Sequence, residues 1–77
     1  MRTFEDVFAA FGGPARFARE IGIPVGHAQT MRQRGSIPAA YFLRTAIAAR
    51  RLKIKGVTVA TLAALAAARA RQNRGAA

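Results

Sequence analysis

The chain has no cysteine and no tryptophan, a single histidine, a single tyrosine and only three acidic residues. Without cysteine there is no disulfide framework and no thiolate metal site. His27 alone cannot assemble a multidentate zinc site, so no metal or other cofactor is expected. The missing thiols fit a reducing cytosol without demanding it, and a cytoplasmic setting is expected. Glu5, Asp6 and Glu20 are the only carboxylate side chains, and none follows from Ile21 to Ala77. With so few acids, no thiol and no glycine-rich phosphate loop, the residues for an enzyme are missing. Long apolar runs are missing too. The most apolar stretch, Val57 to Ala68, is too short and too rich in alanine to cross a bilayer. Glu5 and Asp6 stand where a secretory leader would carry its apolar run, so neither a leader nor a membrane partner is expected.

Positive charge dominates what remains. Thirteen Lys or Arg against three acids give a net charge of +10. Such an imbalance selects a polyanionic partner, nucleic acid ahead of an anionic membrane. A GC-rich genome would raise the Arg and Ala counts but would not remove the acids. At 77 residues the chain makes one domain. A core this small leaves a thin stability margin unless oligomerisation adds to it.

Gly, Pro and capping residues punctuate the sequence into about five short helices. Thr3 can cap the first, with Glu5 and Asp6 in its opening turn, where the helix dipole favours negative charge. Phe4, Val7, Phe8 and Phe11 recur at helical spacing and should form its buried face. Gly12-Gly13 ends it. Pro14 opens a second helix to Ile21, with Phe17, Ala18 and Ile21 inward, closed by Gly22. Pro24 starts a third that runs to about Arg34, where Gly35 stops it. A fourth is expected from Pro38 to about Leu52, with Ala39, Phe42, Leu43, Ala46 and Ile47 on its inner face. Thr58 can cap a fifth to about Arg71, striped by Val59, Leu62, Ala63 and Ala66. The domain is thus expected over residues 1–71, with a frayed basic tail over 72–77. No strand pattern and no internal repeat occurs, which gives an all-α compact bundle.

Residues Pro14 to Arg34 carry the functional signal. A helix-turn-helix needs two helices crossing steeply over a short turn, so that the second can enter the major groove. The crossing demands a small residue on the first helix, a glycine in the turn and an apolar inner face on the second. Ala18 stands four residues before Gly22, Phe17 and Ile21 flank it, and Ala28 and Met31 supply the inner face of the next helix. No charged residue interrupts that set.

The stretch GGPARFAREIGIPVGHAQTMRQRGSIP resembles the helix-turn-helix of Cro/CI-like regulators of phages and bacteria. It is most similar to the short YdaS-like and Cro-like members, in which an Ile-Pro pair follows the recognition helix. The resemblance covers about Gly12 to Pro38, and the five-helix layout extends it over most of the chain. It implies a lambda-repressor/Cro-like fold that binds operator DNA, usually as a dimer, and commonly represses transcription. Many short relatives carry Trp where this chain has Met31, and Gly26 is unusually permissive for a recognition helix.

A helical projection of residues 24–34 turns Gly26, Thr30 and Gln33 outward, flanked by His27, Gln29 and Arg34, with Val25 at the edge. Gln pairs bidentately with adenine, Arg with guanine, and Thr or Val meets the thymine methyl. Gln29, Thr30 and Gln33 are therefore the leading base readers, followed by Val25, His27 and Gly26. The bland alternative is a solvated helix face. His27 serves equally as a surface histidine, and Gly26 either admits close backbone approach or merely weakens the helix. Arg16, Arg19, Arg32, Arg34 and Arg44 are the candidate phosphate clamps, joined by free amides near Pro14 to Arg16. Arg51, Lys53 and Lys55 extend that surface or are ordinary solvated charges, and Arg69, Arg71 and Arg74 follow the DNA or dangle.

One recognition helix reads few base pairs, so a homodimer on a palindrome is expected. The fifth helix offers Val59, Leu62, Leu65 and Ala66 as an interface, as a cover for the core, or both. No small-molecule ligand is expected. Two other readings remain. One is a protein-interaction module, such as an antitoxin or an RNA-polymerase-binding regulator. The other is a nonspecific nucleoid-type DNA-binding protein.

Overall fold

The computed structural model describes residues 1–76; Ala77 and the side chains of residues 73–76 lie outside the description. Helix α1 spans Phe4–Ala10, α2 Pro14–Ile21 and α3 Val25–Arg34. A 3-10 turn over Ala39–Tyr41 leads into α4, Phe42–Arg51, and α5 runs over Val59–Ala76. No strand occurs among the described residues, so the molecule is an all-α globule of five helices.

The N-terminal cap is reciprocal. The Asp6 amide donates to Thr3 Oγ1 at 3.3 Å, while the Arg2 and Thr3 amides donate to Asp6 Oδ2 at 2.8 and 3.3 Å. Three of the orphan N–H groups at the chain's entry into α1 thereby find partners. Past the cap, Phe4, Val7, Phe8 and Phe11 are all buried, as their spacing requires. Phe17 of α2 receives the edges of Phe8 and Phe11, with centroids 4.8 and 5.2 Å away at 72° and 87°. These edge-to-face contacts match the ring quadrupoles, and they fix α1 against α2. Phe42 of α4 lies 6.4 Å from Phe4 and closes the aromatic cluster. All five phenylalanines of the chain are in the core.

Between α2 and α3 the chain turns over Gly22, Ile23 and Pro24. Gly22 has φ +75°, a left-handed conformation that costs glycine nothing. With the chain so turned, the Gly22 and Ile23 amides both donate to the Ala18 carbonyl, at 2.9 and 3.0 Å. Pro24, with extended backbone, caps α3, which begins one residue later than the sequence suggests. Ala18, Ala28 and Met31 are buried, and α2 against α3 is the most extensive contact between elements.

The second half departs from expectation. The single fourth helix from Pro38 to Leu52 divides into the 3-10 turn and α4. Its inner face is Phe42, Thr45, Ala48 and Ala49, whereas Leu43 and Ile47 are 64% and 57% exposed and Ala39 is exposed. The expected face was wrong because Thr45, a polar residue, is the one turned inward. Its hydroxyl donates to the Tyr41 carbonyl at 2.8 Å and so arrives in the core already satisfied. Ala48 and Ala49 are buried on α4, which packs against α2 and α5. On α5, Leu62 and Leu65 are buried, while Val59 and Ala63 are exposed. Of the four residues expected at a dimer interface, Leu62 and Leu65 thus belong to the chain's own core. Ala66 is partly buried against that core, and Val59 is exposed. Helix α5 continues through Ala76, beyond the expected end at Arg71, so the backbone of 72–76 is helical where a frayed tail was expected. Residue Ala77 of that tail, and the Arg74 side chain, lie outside the described residues.

Candidate functional site

Helix α3 divides sharply along its length. Ala28 and Met31 hold it to the body, and every other residue on it is exposed. Val25, Gly26, His27, Gln29, Thr30 and Gln33, the candidate base readers, all lie on the exposed part. Gly26 owes nothing to its surroundings. It has an ordinary helical φ, and a Cβ added there would meet nothing within 4 Å. The Thr30 hydroxyl donates back to the Gly26 carbonyl at 3.0 Å, which orients its methyl and ties the first turn to the second. Gln29, Gln33 and Arg32 join Pro14 around a shallow depression of about 240 Å³, at the entrance of α2.

That entrance is open. Gly13 caps α2 without a side-chain hydrogen bond, and no acid lies in the first turn. Helix α3 likewise starts at Pro24 with no side-chain cap and no acid. Each of these helix N-termini therefore presents a positive dipole end with neither a side-chain cap nor a first-turn acid.

The five candidate clamping arginines fare differently. Arg16 and Arg19 are exposed on α2, and the Arg16 stem lies against Gly12. Arg32 is engaged: its Nε and Nη2 donate to the Glu5 carboxylate at 3.0–3.2 Å. That hydrogen-bonded carboxylate holds the Arg32 pKa above its ordinary value. Both side chains are about half exposed, so the pair adds little to stability. Arg34 is exposed, and its carbonyl accepts from Arg69 Nη2 at 2.7 Å. Arg69 is thus no dangling tail residue; it crosses from α5 to the C-terminal end of α3, where a cation complements the dipole. Arg44 sits over the Tyr41 ring, its guanidinium carbon 5.7 Å from the centroid. Arg51 is drawn to α2, donating to the Glu20 carboxylate at 2.7 Å and to its carbonyl at 3.2 Å.

The acids are fully occupied by these contacts. Asp6 caps α1, Glu5 holds Arg32 and Glu20 holds Arg51. Among the described residues no side-chain carboxylate is paired with Arg16, Arg19, Arg34 or Arg44. Tyr41 was not singled out by sequence, and Arg69 was expected only to follow the DNA or dangle. Tyr41 lies outside the helix-turn-helix pattern, and the reach of Arg69 depends on how α5 packs. Among the described residues there is no cluster of His, Asp or Glu able to hold a metal ion, and no helix long and apolar enough to cross a membrane. Comparisons with protein-family models, with curated proteins and with solved structures give no match to this chain.

Proposed function

We propose that this chain is a sequence-specific double-stranded DNA-binding protein, a dimeric Cro-like repressor whose α2 and α3 form a helix-turn-helix. The observation that carries the reading is α3 itself. It is a short helix anchored by Ala28 and Met31, with Gln29, Thr30 and Gln33 exposed and with Gln29 and Gln33 beside Pro14 at the uncapped start of α2. In a complex α3 lies in the major groove. Gln29 and Gln33 read adenine edges there, Thr30 and Val25 meet thymine methyls, and Gly26 lets the backbone come close. Arg16, Arg19, Arg34 and Arg44 take phosphates on either side. Arg32 joins them on release from Glu5, an exchange of one exposed ion pair for another.

The dimer contact must come from side chains left outside the core. Apart from Met1 and the Val25 of the reading helix, Leu43 and Ile47 on α4 and Val59 on α5 are the large exposed hydrophobics available to it. Three such residues fall short of the roughly 800 Å² per partner of a stable interface. A pair of chains that each carry +10 also repel one another. Dimerisation is therefore weak in solution and is completed on the operator, where phosphates neutralise the charge.

Selection of bound sites from random duplex DNA at physiological salt tests the proposal. A palindrome with half-sites one helical turn apart, ~34 Å, is the expected product. Binding without any recovered motif favours nonspecific, charge-driven association instead, and no binding at all overturns the reading.

A further inference from the structure

Tyr41 ends the 3-10 turn, half-buried against the core, and its ring gathers side chains from two other elements. His27, in the first turn of α3, meets it edge-on, with ring centroids 5.5 Å apart at 83°. Arg44, in the first turn of α4, places its guanidinium over the same ring at 5.7 Å. A cation on an aromatic face is oriented without being neutralised, so its hydrogen-bond fork stays available to an anion. No acid of the chain competes for it, because all three are held elsewhere. The result is an aromatic platform at the edge of the α3 ridge. It carries one guanidinium and one imidazole whose positions are fixed relative to each other and to α3.

We infer that Tyr41 is a positioning residue. Its ring sets Arg44 and His27 as a pair of contacts to the phosphodiester backbone of one DNA strand, beside the base-reading ridge. This rests on the DNA-binding reading above and moves His27 from the base readers to the backbone contacts. The planar fork of Arg44 matches a phosphate bidentately, and the edge-on contact ties the imidazole to the 39–44 segment. The pair contributes register and affinity, while sequence is read by Gln29, Thr30 and Gln33.

The test is the affinity for the duplex recovered by site selection, measured as a function of salt. The variants are Tyr41→Phe, Tyr41→Leu, Arg44→Ala and His27→Ala, with folding checked by circular dichroism. Tyr41→Phe keeps the ring and should retain the wild-type affinity and slope. Arg44→Ala should flatten the log–log salt slope by about 0.9, one phosphate. Tyr41→Leu should weaken binding, and adding Arg44→Ala to it should cost less than in the wild type. His27→Ala should weaken binding equally on matched and mismatched duplexes. Equal loss in Tyr41→Phe and Tyr41→Leu overturns the inference, since the hydroxyl would then be the active group. A relaxed preference at one base pair in His27→Ala also overturns it. If Tyr41→Leu does not fold, the exposed Arg44→Ala decides, and an unchanged salt slope defeats the clamp. Wild-type protein that binds no duplex defeats the DNA-binding reading itself; wild-type binding matched by a folded Tyr41→Leu defeats only the role of Tyr41.

Discussion

Helices α2 and α3 on one side and α4 and α5 on the other bury similar apolar side chains, yet they encode their inner faces in different ways. In α2 and α3 each outward position is polar or glycine apart from Ala15 and Val25, so a helical projection has one solution. In α4 and α5 apolar residues also take exposed positions, Leu43 and Ile47 on α4 and Val59, Ala60, Ala63 and Ala64 on α5, so the apolar residues alone do not mark the packed face. The packed face is then chosen by fit. On α4 this selects the small Ala48 and Ala49 and the self-satisfied Thr45 over the larger Leu43 and Ile47. An inner face is readable where the large apolar side chains are confined to it.

The largest effect that would test this contrast is on stability. Leu62→Ala removes a fully buried side chain and should cost about 2–5 kcal/mol. Leu43→Ala, the same chemical change at a 64% exposed position, should stay within about 0.5 kcal/mol. Urea unfolding of the two variants measures both. Equal costs would restore the face expected from sequence and dissolve the distinction between the two halves.

A smaller effect is expected at the α2–α3 crossing. Ala18 is fully buried, and its carbonyl receives both amides of the turn. Ala18→Leu must force the two helices apart, at a cost of about 1–3 kcal/mol and with loss of DNA binding. A variant as stable as the wild type, by thermal denaturation, would mean that α2 and α3 do not touch at this residue.

Gly26→Ala should act in the opposite direction. The new Cβ meets no atom of the protein, and alanine is the better helix former by about 1 kcal/mol, so the melting temperature should rise. If α3 approaches DNA through its bare backbone at this point, the same variant should bind its operator more weakly. A variant that is both more stable and equally tight in binding would leave Gly26 as a weakness in the helix alone.

Much of the fold was legible where backbone chemistry is local. Thr3 with Asp6, Gly22 with Ala18, and Gly35 after Arg34 each announce an end of a helix through a geometry that few other residues provide. The exposed ridge of α3 was legible for the same reason, since Ala28 and Met31 leave only one way to seat it. The acid partners were not. Glu5 and Arg32 are 27 positions apart, Glu20 and Arg51 31 apart, and Arg69 reaches the Arg34 carbonyl across 35. Contacts of this kind have no periodicity, and they appear only once the helices are packed. The contact of Tyr41 with His27 was hidden likewise, since it joins α3 to the start of α4, whereas Arg44 follows Tyr41 at helical spacing.

Charge separates the molecule along its length as well, and this sets its response to acid. All three side-chain carboxylates lie in residues 1–20, and the fold perturbs the titration of Asp6, at the start of α1. The fold holds the Asp6 pKa below its ordinary value of 3.8, chiefly because the Arg2 and then the Thr3 amide donate to its carboxylate. A group whose pKa is lower folded than unfolded binds fewer protons in the native state. Its contribution is therefore complete above 3.8 and disappears as pH falls through the folded value. The melting temperature of the wild type should thus decline more steeply than that of Asp6→Ala below pH 3.8, and the two should converge once Asp6 is protonated. The effect is small because the carboxylate is exposed to solvent. Parallel curves for wild type and Asp6→Ala across that range would show that the α1 cap owes nothing to the ionised carboxylate.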